Sequence, residues 1–252
     1  ITAGSGVFRL QGGAFPGAPM EFTAMCAFAP YNLQNVQQIG YDVLNNRPKQ
    51  AAYRAPGSPM AAFAVESVID ELCNQLKLDP IEVRLKNASK EGTKASFGPK
   101  WDRIGLVECL ESAKNHPHYS SPLLEGQGRG ISSGFWFNHG GETAVTLALS
   151  EDGTAALSVG TPDIGGSRAS MCQFVAEELG IPYEKIRTTI ADTATLGYNE
   201  ISHGSRVTYA TGLATIKAAQ DAIKKLCARA ANKWGIDEDA VIWEDGCAKP
   251  SG

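Results

Sequence analysis

The sequence predicts an α+β fold, with mixed strands and helices and one long helix towards its C-terminal end. Apolar residues recur at three- and four-residue spacing over residues 59–77, as on one face of a helix. Strand-like runs at 143–149 and 155–159 flank Asp152-Gly153, a strong hairpin signal. The predicted strands and helices follow one another without a regular βαβ rhythm, which favours the α+β class.

Start signals for helices define the elements near residue 59. Ser58 is the predicted N-cap of the 59–77 helix, and Pro59 suits its first turn. The predicted buried stripe of this helix comprises Val65, Val68, Ile69, Leu72 and Leu76. A second, short helix is predicted directly after it, because Asp79 is a good cap and Pro80 a good first residue.

The other elements of the first half are shorter. Residues 1–50 contain strand-like pieces and one short apolar segment, at 22–29. The remaining predictions are an exposed loop over 88–104, a helix over 106–113 that Pro117 ends, and a linker over 119–127.

The pattern changes at Gly128, and we predict two domains, residues 1–125 and 126–252. Besides the hairpin, the second half is predicted to hold a strand over 131–138, a helix over 169–179, a strand over 186–190 and a helix over 205–234. The long helix has an apolar stripe of Tyr209, Leu213, Ile216, Ile223, Leu226, Ala230 and Trp234. Its basic residues are interpreted as a solvated face rather than a basic site.

Composition narrows the function classes. The 252 residues carry 27 acidic and 23 basic side chains, a net charge of −4, which argues against a nucleic-acid partner. Apolar runs are far shorter than the roughly 18 residues that a membrane-spanning helix needs, so no span is predicted. The 6 cysteines include no Cys-x-x-Cys pair. We expect reduced thiols, which fit a cytoplasmic location.

Three segments rich in Gly and Ser each precede a predicted helix and include an arginine. We call them the first loop (residues 54–58, Arg-Ala-Pro-Gly-Ser), the second loop (163–168, Asp-Ile-Gly-Gly-Ser-Arg) and the third loop (202–206, Ser-His-Gly-Ser-Arg). A helix N-terminus offers free N–H groups and a partial positive charge, and glycine lets a ligand approach the backbone. Together the loops predict a site for a cofactor with several negative charges. Taken singly, each is also an ordinary helix start, and none matches a Walker loop or a dinucleotide fingerprint.

These loops carry a resemblance to a known family. Residues 52–57 (Ala-Tyr-Arg-Ala-Pro-Gly) resemble the A-[FY]-R-G-x-G segment of the molybdenum hydroxylases, the xanthine dehydrogenase and aldehyde oxidase family. Residues 78–87 resemble the segment that follows it there. Residues 161–167 are similar to the family's D-x-G-Q-G-[ST] loop, and residues 203–208 to its Y-G-S-R-[ST] loop. The four matches keep the family's order and spacing over nearly the whole chain.

The resemblance implies an internal segment of the molybdopterin-binding large subunit of such an enzyme. The implied cofactor is molybdenum–molybdopterin, commonly the cytosine dinucleotide form in bacteria. The implied reaction is hydroxylation of an aldehyde or an N-heterocycle, a small-molecule substrate, with oxygen from water. Electrons would leave through iron–sulfur clusters and FAD on partner chains or domains. In most members no protein side chain binds the metal, so no metal ligand is expected here.

Site residues follow from the matched positions. Arg54 and Ala55 would lie beside the oxo and sulfido ligands of the metal, and Pro56 in the substrate pocket. The other implied cofactor-binding residues are Gly165, Gly166 and Ser167 in the second loop and Gly204, Ser205 and Arg206 in the third. Two positions depart from the family: Gly166 stands where a glutamine is usual, and Ala55 is not the cysteine of carbon monoxide dehydrogenases.

No catalytic residue is predicted within this chain. The family's upstream G-G-G-F-G loop and its downstream G-x-G-E loop, whose glutamate is the general base, are both missing from the sequence. Glu200 is interpreted as a solvated loop acid rather than a surrogate base, and His203 as a polar residue near the cofactor. His116, His118 and His139 are expected to be surface or structural residues. A non-catalytic phosphate-binding or subunit-assembly module remains the alternative.

Overall fold

A computed structural model describes residues 1–137 and 140–251. The chain folds into two compact units, Ile1–Trp136 and Phe137–Gly252. The predicted division between residues 125 and 126 concerns domains defined by cofactor binding, and it stays a prediction. The α+β class with a long helix in the second half is confirmed.

Unit 1 combines a parallel strand pair with five helices. Its elements are β1 (Ala3–Gly13), α1 (Met20–Ala27), β2 (Asn35–Leu44), α2 (Ser58–Leu76), α3 (Pro80–Asn87), α4 (Leu106–Asn115) and α5 (Pro117–Ser120). β1 and β2 pair in parallel, from Ala3 opposite Asn35 onward, so α1 serves as the crossover between them. The apolar segment predicted at 22–29 lies mostly in this crossover helix, and its Cys26 and Ala27 are buried.

The start of α2 differs from the prediction. The N-cap is Gly57, in the left-handed conformation at φ 87°, and Ser58 is the first helical residue. The Ser58 hydroxyl makes no capping bond but donates to the carbonyl oxygen of Phe135 at 2.6 Å. The predicted cap was therefore wrong by one residue, because a left-handed turn into the helix favours glycine. Pro59 does occupy the first turn, as expected.

The buried face of α2 was predicted only in part. Val65 and Ile69 are buried together with Ala61, Glu66 and Cys73. Val68, Leu72 and Leu76 are 55%, 43% and 64% exposed. The buried stripe is rotated because Glu66 faces inward, where its carboxylate pairs with the fully buried Arg84 of α3 at 2.7 Å.

Two further predictions in unit 1 have clear outcomes. Asp79 caps α3 as expected, accepting hydrogen bonds from the N–H groups of Ile81 and Glu82 at 2.9 and 3.0 Å. The strand predicted at 131–138 is wrong for 131–137, where the structure has no strand; Asn138 lies outside the described residues. The backbone there bonds side chains instead, since the N–H of Ser133 donates to Glu66 at 2.8 Å.

Unit 2 is built on a three-stranded sheet. Its elements are β3 (Val145–Leu149), β4 (Ala155–Val159), α6 (Ser167–Leu179), β5 (Ile186–Ile190), α7 (Gly212–Trp234), β6 (Val241–Glu244) and β7 (Cys247–Pro250). β3 and β4 form the predicted antiparallel hairpin, while β4 and β5 pair in parallel with α6 as the crossover. The core of the unit includes Leu157, Val159, Met171, Val175 and Leu179.

The long helix starts later than predicted. A π-helical turn, Val207–Thr211, precedes α7, which is α-helical from Gly212. The buried residues of α7 are small, Thr215, Ala219 and Ala231 among them, whereas Tyr209 and Leu213 of the predicted stripe are 50% and 43% exposed. The predicted face is therefore wrong in its first turns, because the wider π turn changes the phase of the helix that follows.

The hairpin of β6 and β7 was missed, although Asp245-Gly246 at its turn repeats the signal of Asp152-Gly153. The indole N–H of Trp243 donates to the carbonyl of Leu179 at 2.9 Å, which fastens this hairpin to the end of α6.

All 6 cysteines are unpaired, and burial raises the thiol pKa values of Cys26 and Cys73. Among the described residues, no helix is long and apolar enough to cross a membrane.

Candidate functional site

The three predicted loops share one place in the topology. The first loop follows β2 and opens α2, the second follows β4 and opens α6, and the third lies between β5 and α7. β2, β4 and β5 are each partners in a parallel pair. Ligands of α/β sheets bind at the carboxyl ends of parallel strands. Because β4 and β5 are parallel neighbours, the chain segments that contain the second and third loops leave the sheet of unit 2 at the same end.

The first loop has a strained backbone. Arg54 and Ala55 have positive φ values of 24° and 53°, which residues other than glycine seldom adopt. Gly57 follows at φ 87°, and a Cβ there would lie 2.6 Å from the carbonyl oxygen of Pro19. Gly57 is therefore required by packing. Such strain persists only where the surrounding structure enforces it, and it concentrates at functional sites.

The side chains of the first loop differ in exposure. Arg54 is exposed, and Ala55 and Pro56 are half-buried. The N–H of Ser58 donates to the carbonyl of Ala55 at 3.0 Å, which closes the turn before α2. The loop thus presents a cation beside a fixed helix start.

The second loop presents bare backbone. Gly165 and Gly166 are left-handed at φ 64° and 82°, and a Cβ on either would meet no described atom within 4 Å. Ser167 is buried, and its hydroxyl accepts from the N–H of Ile164 at 3.3 Å. Asp163 accepts from the N–H of Arg168 at 3.0 Å. The serine and aspartate therefore shape the loop, and the two glycines leave room for a ligand to approach it.

The third loop has the same backbone signature. Gly204 and Ser205 are left-handed at φ 61° and 62°, and the N–H of Arg206 donates to the carbonyl of His203 at 3.2 Å. Ser205 is exposed, whereas the side chain of Arg206 is completely buried. The guanidinium of Arg206 donates to oxygens of residues 140–143 and 200–201. The side chain of Arg206, which the sequence predicts as a cofactor ligand, thus has protein partners in the structure.

The acidic and histidine candidates occupy different settings. The backbone N–H of Glu200 donates to the carbonyl of Glu142 at 3.1 Å. The side-chain carboxylate of Glu200 lies beside Gly141. A role for Glu200 or His203 in chemistry stays a prediction. His116 and His118 are exposed, as expected, and His139 lies outside the described residues.

Sequence reasoning missed two residues that build the site. Gly160 lies directly after β4, and a Cβ there would overlap the side-chain amide of Asn199. The amide oxygen of Asn199 also accepts from the N–H of Ala144 at 3.2 Å. Asn199 therefore joins the ends of three chain segments beside the second and third loops. No spacing rule indicates this contact. By contrast, the role of Gly57 as the cap of α2 could have been predicted from the Pro-Gly pair before that helix.

A separate polar cleft of about 320 Å³ lies in unit 1. Its lining includes Asp70 and Asn74 of α2, Asp79, Tyr119 and Arg129. Within this lining, Asp79 accepts a hydrogen bond from the hydroxyl of Tyr119 at 2.8 Å.

Sequence comparison finds molybdopterin cofactor-binding domains in both halves of the chain, at residues 1–88 and 120–251. The chain is 31% identical over 202 residues to the xanthine dehydrogenase molybdenum-binding subunit of Escherichia coli O157:H7, covering 74% of this chain and 27% of that subunit. It is also 31% identical over 215 residues to the aldehyde oxidoreductase of Megalodesulfovibrio gigas, covering 79% and 23%. The chain thus spans about a quarter of the length of these relatives.

Solved structures share the fold. The quinoline 2-oxidoreductase of Pseudomonas putida 86 superposes with a TM-score of 0.77 at 18% identity, covering 97% of this chain and 35% of that one. The aldehyde oxidoreductase of Desulfovibrio gigas gives a TM-score of 0.70 at 23% identity, covering 98% and 32%. At these identities the likeness establishes the architecture alone.

Proposed function

Because the chain belongs to the molybdenum hydroxylase family, we propose that it forms the molybdopterin-binding segment of an oxidoreductase that hydroxylates an aldehyde or an N-heterocycle using water. One observation carries the assignment of the site within the chain. Each of the three loops lies between a parallel strand and a helix and holds left-handed residues, non-glycine ones in the first and third.

The second loop fits the pterin cofactor sterically. The space that a side chain would fill at Gly165 and Gly166 is open, so a flat or phosphorylated group can reach the backbone. The N-terminus of α6 lies directly behind these glycines and favours negative charge. We propose that Gly165, Gly166 and Ser167 hold this part of the cofactor, with Gly204 and Ser205 acting alike in the third loop.

The first loop supplies a different chemistry. Arg54 places an exposed guanidinium at the start of α2, where it favours anionic groups of the cofactor or substrate. Ala55 is left-handed and half-buried beside Arg54, and the ring of Pro56 would give a rigid apolar wall for a substrate. When bound, the molybdenum cofactor would supply the oxygen-transfer and two-electron redox chemistry of the hydroxylation. The residues of this chain bind and orient the cofactor and the substrate.

Partners, cofactor form and location belong to the same proposal. The general base and the iron–sulfur and FAD groups would come from other segments or subunits, and the pterin would be the cytosine dinucleotide form. A cytoplasmic location is supported by the 6 unpaired cysteines. The alternative, an assembly or phosphate-binding module, is not favoured, because it gives no reason for the strained backbone of the first and third loops.

The test uses the full-length protein that contains this chain, expressed with molybdate. We expect about one molybdenum and one pterin per chain, by elemental analysis and by fluorescence of the oxidised pterin. We also expect label from ¹⁸O-water in a hydroxylated aldehyde or N-heterocycle. A folded protein without molybdenum and pterin would support the assembly module instead. Phosphate binding without pterin would support the phosphate-binding module.

A further inference from the structure

We propose that Arg206 is a positioning residue: its buried guanidinium fixes the backbone of the third loop against residues 140–143, so that the loop meets the cofactor already ordered. The inference rests on the proposed function for its ligand. It differs from the sequence prediction, in which the Arg206 side chain itself binds the cofactor.

The guanidinium of Arg206 reaches two separate chain segments. On one side, its Nε donates to the carbonyl of Gly140 at 2.6 Å, and one terminal nitrogen donates to the carbonyl of Glu142 at 2.8 Å and to the hydroxyl of Thr143 at 2.6 Å. On the other side, the second terminal nitrogen donates to the carbonyls of Glu200 and Ile201 at 2.9 and 3.5 Å. One rigid planar group at the end of the third loop therefore joins the segment before β3 to the two residues just before that loop.

These contacts use the whole donor capacity of the side chain. A guanidinium has five N–H donors in a fixed fork, and five oxygens lie in reach of the three nitrogens of Arg206. The side chain is also 0% exposed. A phosphate or a pterin edge would have to displace a protein oxygen to reach it, so a direct role as ligand is disfavoured.

The loop that Arg206 holds needs such support. Gly204 and Ser205, the two residues before it, are both left-handed, and Ser205 is strained there. A loop in this conformation stays ordered only if the surrounding structure determines it. A loop that is ordered before binding avoids the entropic cost of ordering when the cofactor arrives. Arg206 thus acts on the cofactor through the backbone N–H groups of its neighbours.

The chain offers a matched control. Arg84 is also 0% exposed, and it bonds Glu66 and Asp70 in unit 1. Arg206→Lys and Arg84→Lys each keep the charge and remove the planar fork at a fully buried site. Both variants are expected to lower the melting temperature, but only Arg206→Lys disturbs the third loop. Arg206→Met, which also removes the charge, is the stronger variant of the same site.

Two measurements on the full-length protein test the proposal. The first is the rate of chymotryptic cleavage after Tyr198, which is 68% exposed and lies four residues before the third loop. The second is the rate at which bound pterin and molybdenum are lost during desalting. For Arg206→Lys we expect both rates to rise at least tenfold, and for Arg84→Lys we expect both to stay within about twofold of native.

The outcomes separate the possibilities. Native-like rates in a folded Arg206→Lys or Arg206→Met protein would overturn the proposal. The proposal would also be overturned if the cleavage and cofactor-loss rates rose in the Arg206 and Arg84 variants alike, by amounts that follow their losses of melting temperature. If the native protein holds no pterin, the proposed function fails, and the cleavage rates alone still decide whether Arg206 positions the loop.

Discussion

Replacing Gly165 by alanine is the sharpest test of the second loop. Gly165 is left-handed at φ 64°, and a Cβ there would meet no described atom within 4 Å. The methyl group therefore clashes with nothing in the described protein. If the pterin lies against this backbone, the same methyl group occupies its place, and cofactor binding weakens.

A control glycine isolates this effect from backbone strain. Gly92 is exposed and left-handed at φ 79°, and a Cβ there also meets no described atom within 4 Å. A left-handed alanine costs about 1–2 kcal/mol. Gly165→Ala and Gly92→Ala should therefore destabilise the protein by similar amounts, and only Gly165→Ala should lose cofactor.

The assay is molybdenum and pterin content of the two full-length variants, purified side by side, with urea unfolding as the measure of stability. We expect Gly165→Ala to bind the cofactor at least tenfold more weakly, which corresponds to about 1.4 kcal/mol. Full cofactor content in Gly165→Ala, or an equal deficit in Gly92→Ala, would refute the reasoning that this backbone is a binding surface.

Three further predictions follow from individual side chains. Arg54→Ala should remove about 2–4 kcal/mol of transition-state stabilisation in the full-length enzyme, measured as a fall in kcat/KM, while urea unfolding is unchanged. An unchanged kcat/KM would contradict a role in the pocket. Glu66→Gln should destabilise the protein by about 1.5–3 kcal/mol in urea, because buried Arg84 loses one of its two charged partners and keeps only Asp70, and a loss below about 1 kcal/mol would contradict this. Burial alone would raise the pKa of Asp79, but hydrogen bonds from Glu82 and Tyr119 lower it overall. A carboxylate with a lowered pKa stabilises the fold above its unfolded pKa, so this contribution should vanish as pH falls through the folded pKa and be missing throughout in Asp79→Asn.

Local signals predicted much of the fold correctly. The hairpin around Asp152-Gly153, the strand Ile186–Ile190 and the Asp79 cap all depend on residues within a few positions of one another. The same reasoning would have found the hairpin at Asp245-Gly246. Nearest-neighbour chemistry fixes these elements, so one sequence suffices to predict them.

The errors arise where distant residues decide the structure. The strand predicted at 131–138 is wrong for its described part because that backbone bonds side chains far away in sequence. Glu66 accepts a hydrogen bond from the N–H of Ser133, and Ser58 donates one to the carbonyl of Phe135. The start of α7 was misplaced because the turn before it is π-helical and follows a buried arginine. Neither Glu66 nor Arg206 belongs to the usual residues of a buried core, so the hydrophobic pattern gave no warning.

The similarity of the three loops has a topological reason that the sequence pattern did not indicate, because the chain does contain two βαβ units. In unit 1, β1 and β2 are joined by α1, and in unit 2, β4 and β5 are joined by α6. Each of the three loops turns a parallel strand towards a helix. Each loop must turn the chain sharply into the start of the helical segment that follows, and left-handed residues achieve this. Glycine serves at most of these positions, but Arg54, Ala55 and Ser205 accept strain instead. A structural turn alone would select glycine there, so the retained side chains are the residues whose replacement should affect the cofactor or substrate before it affects the fold.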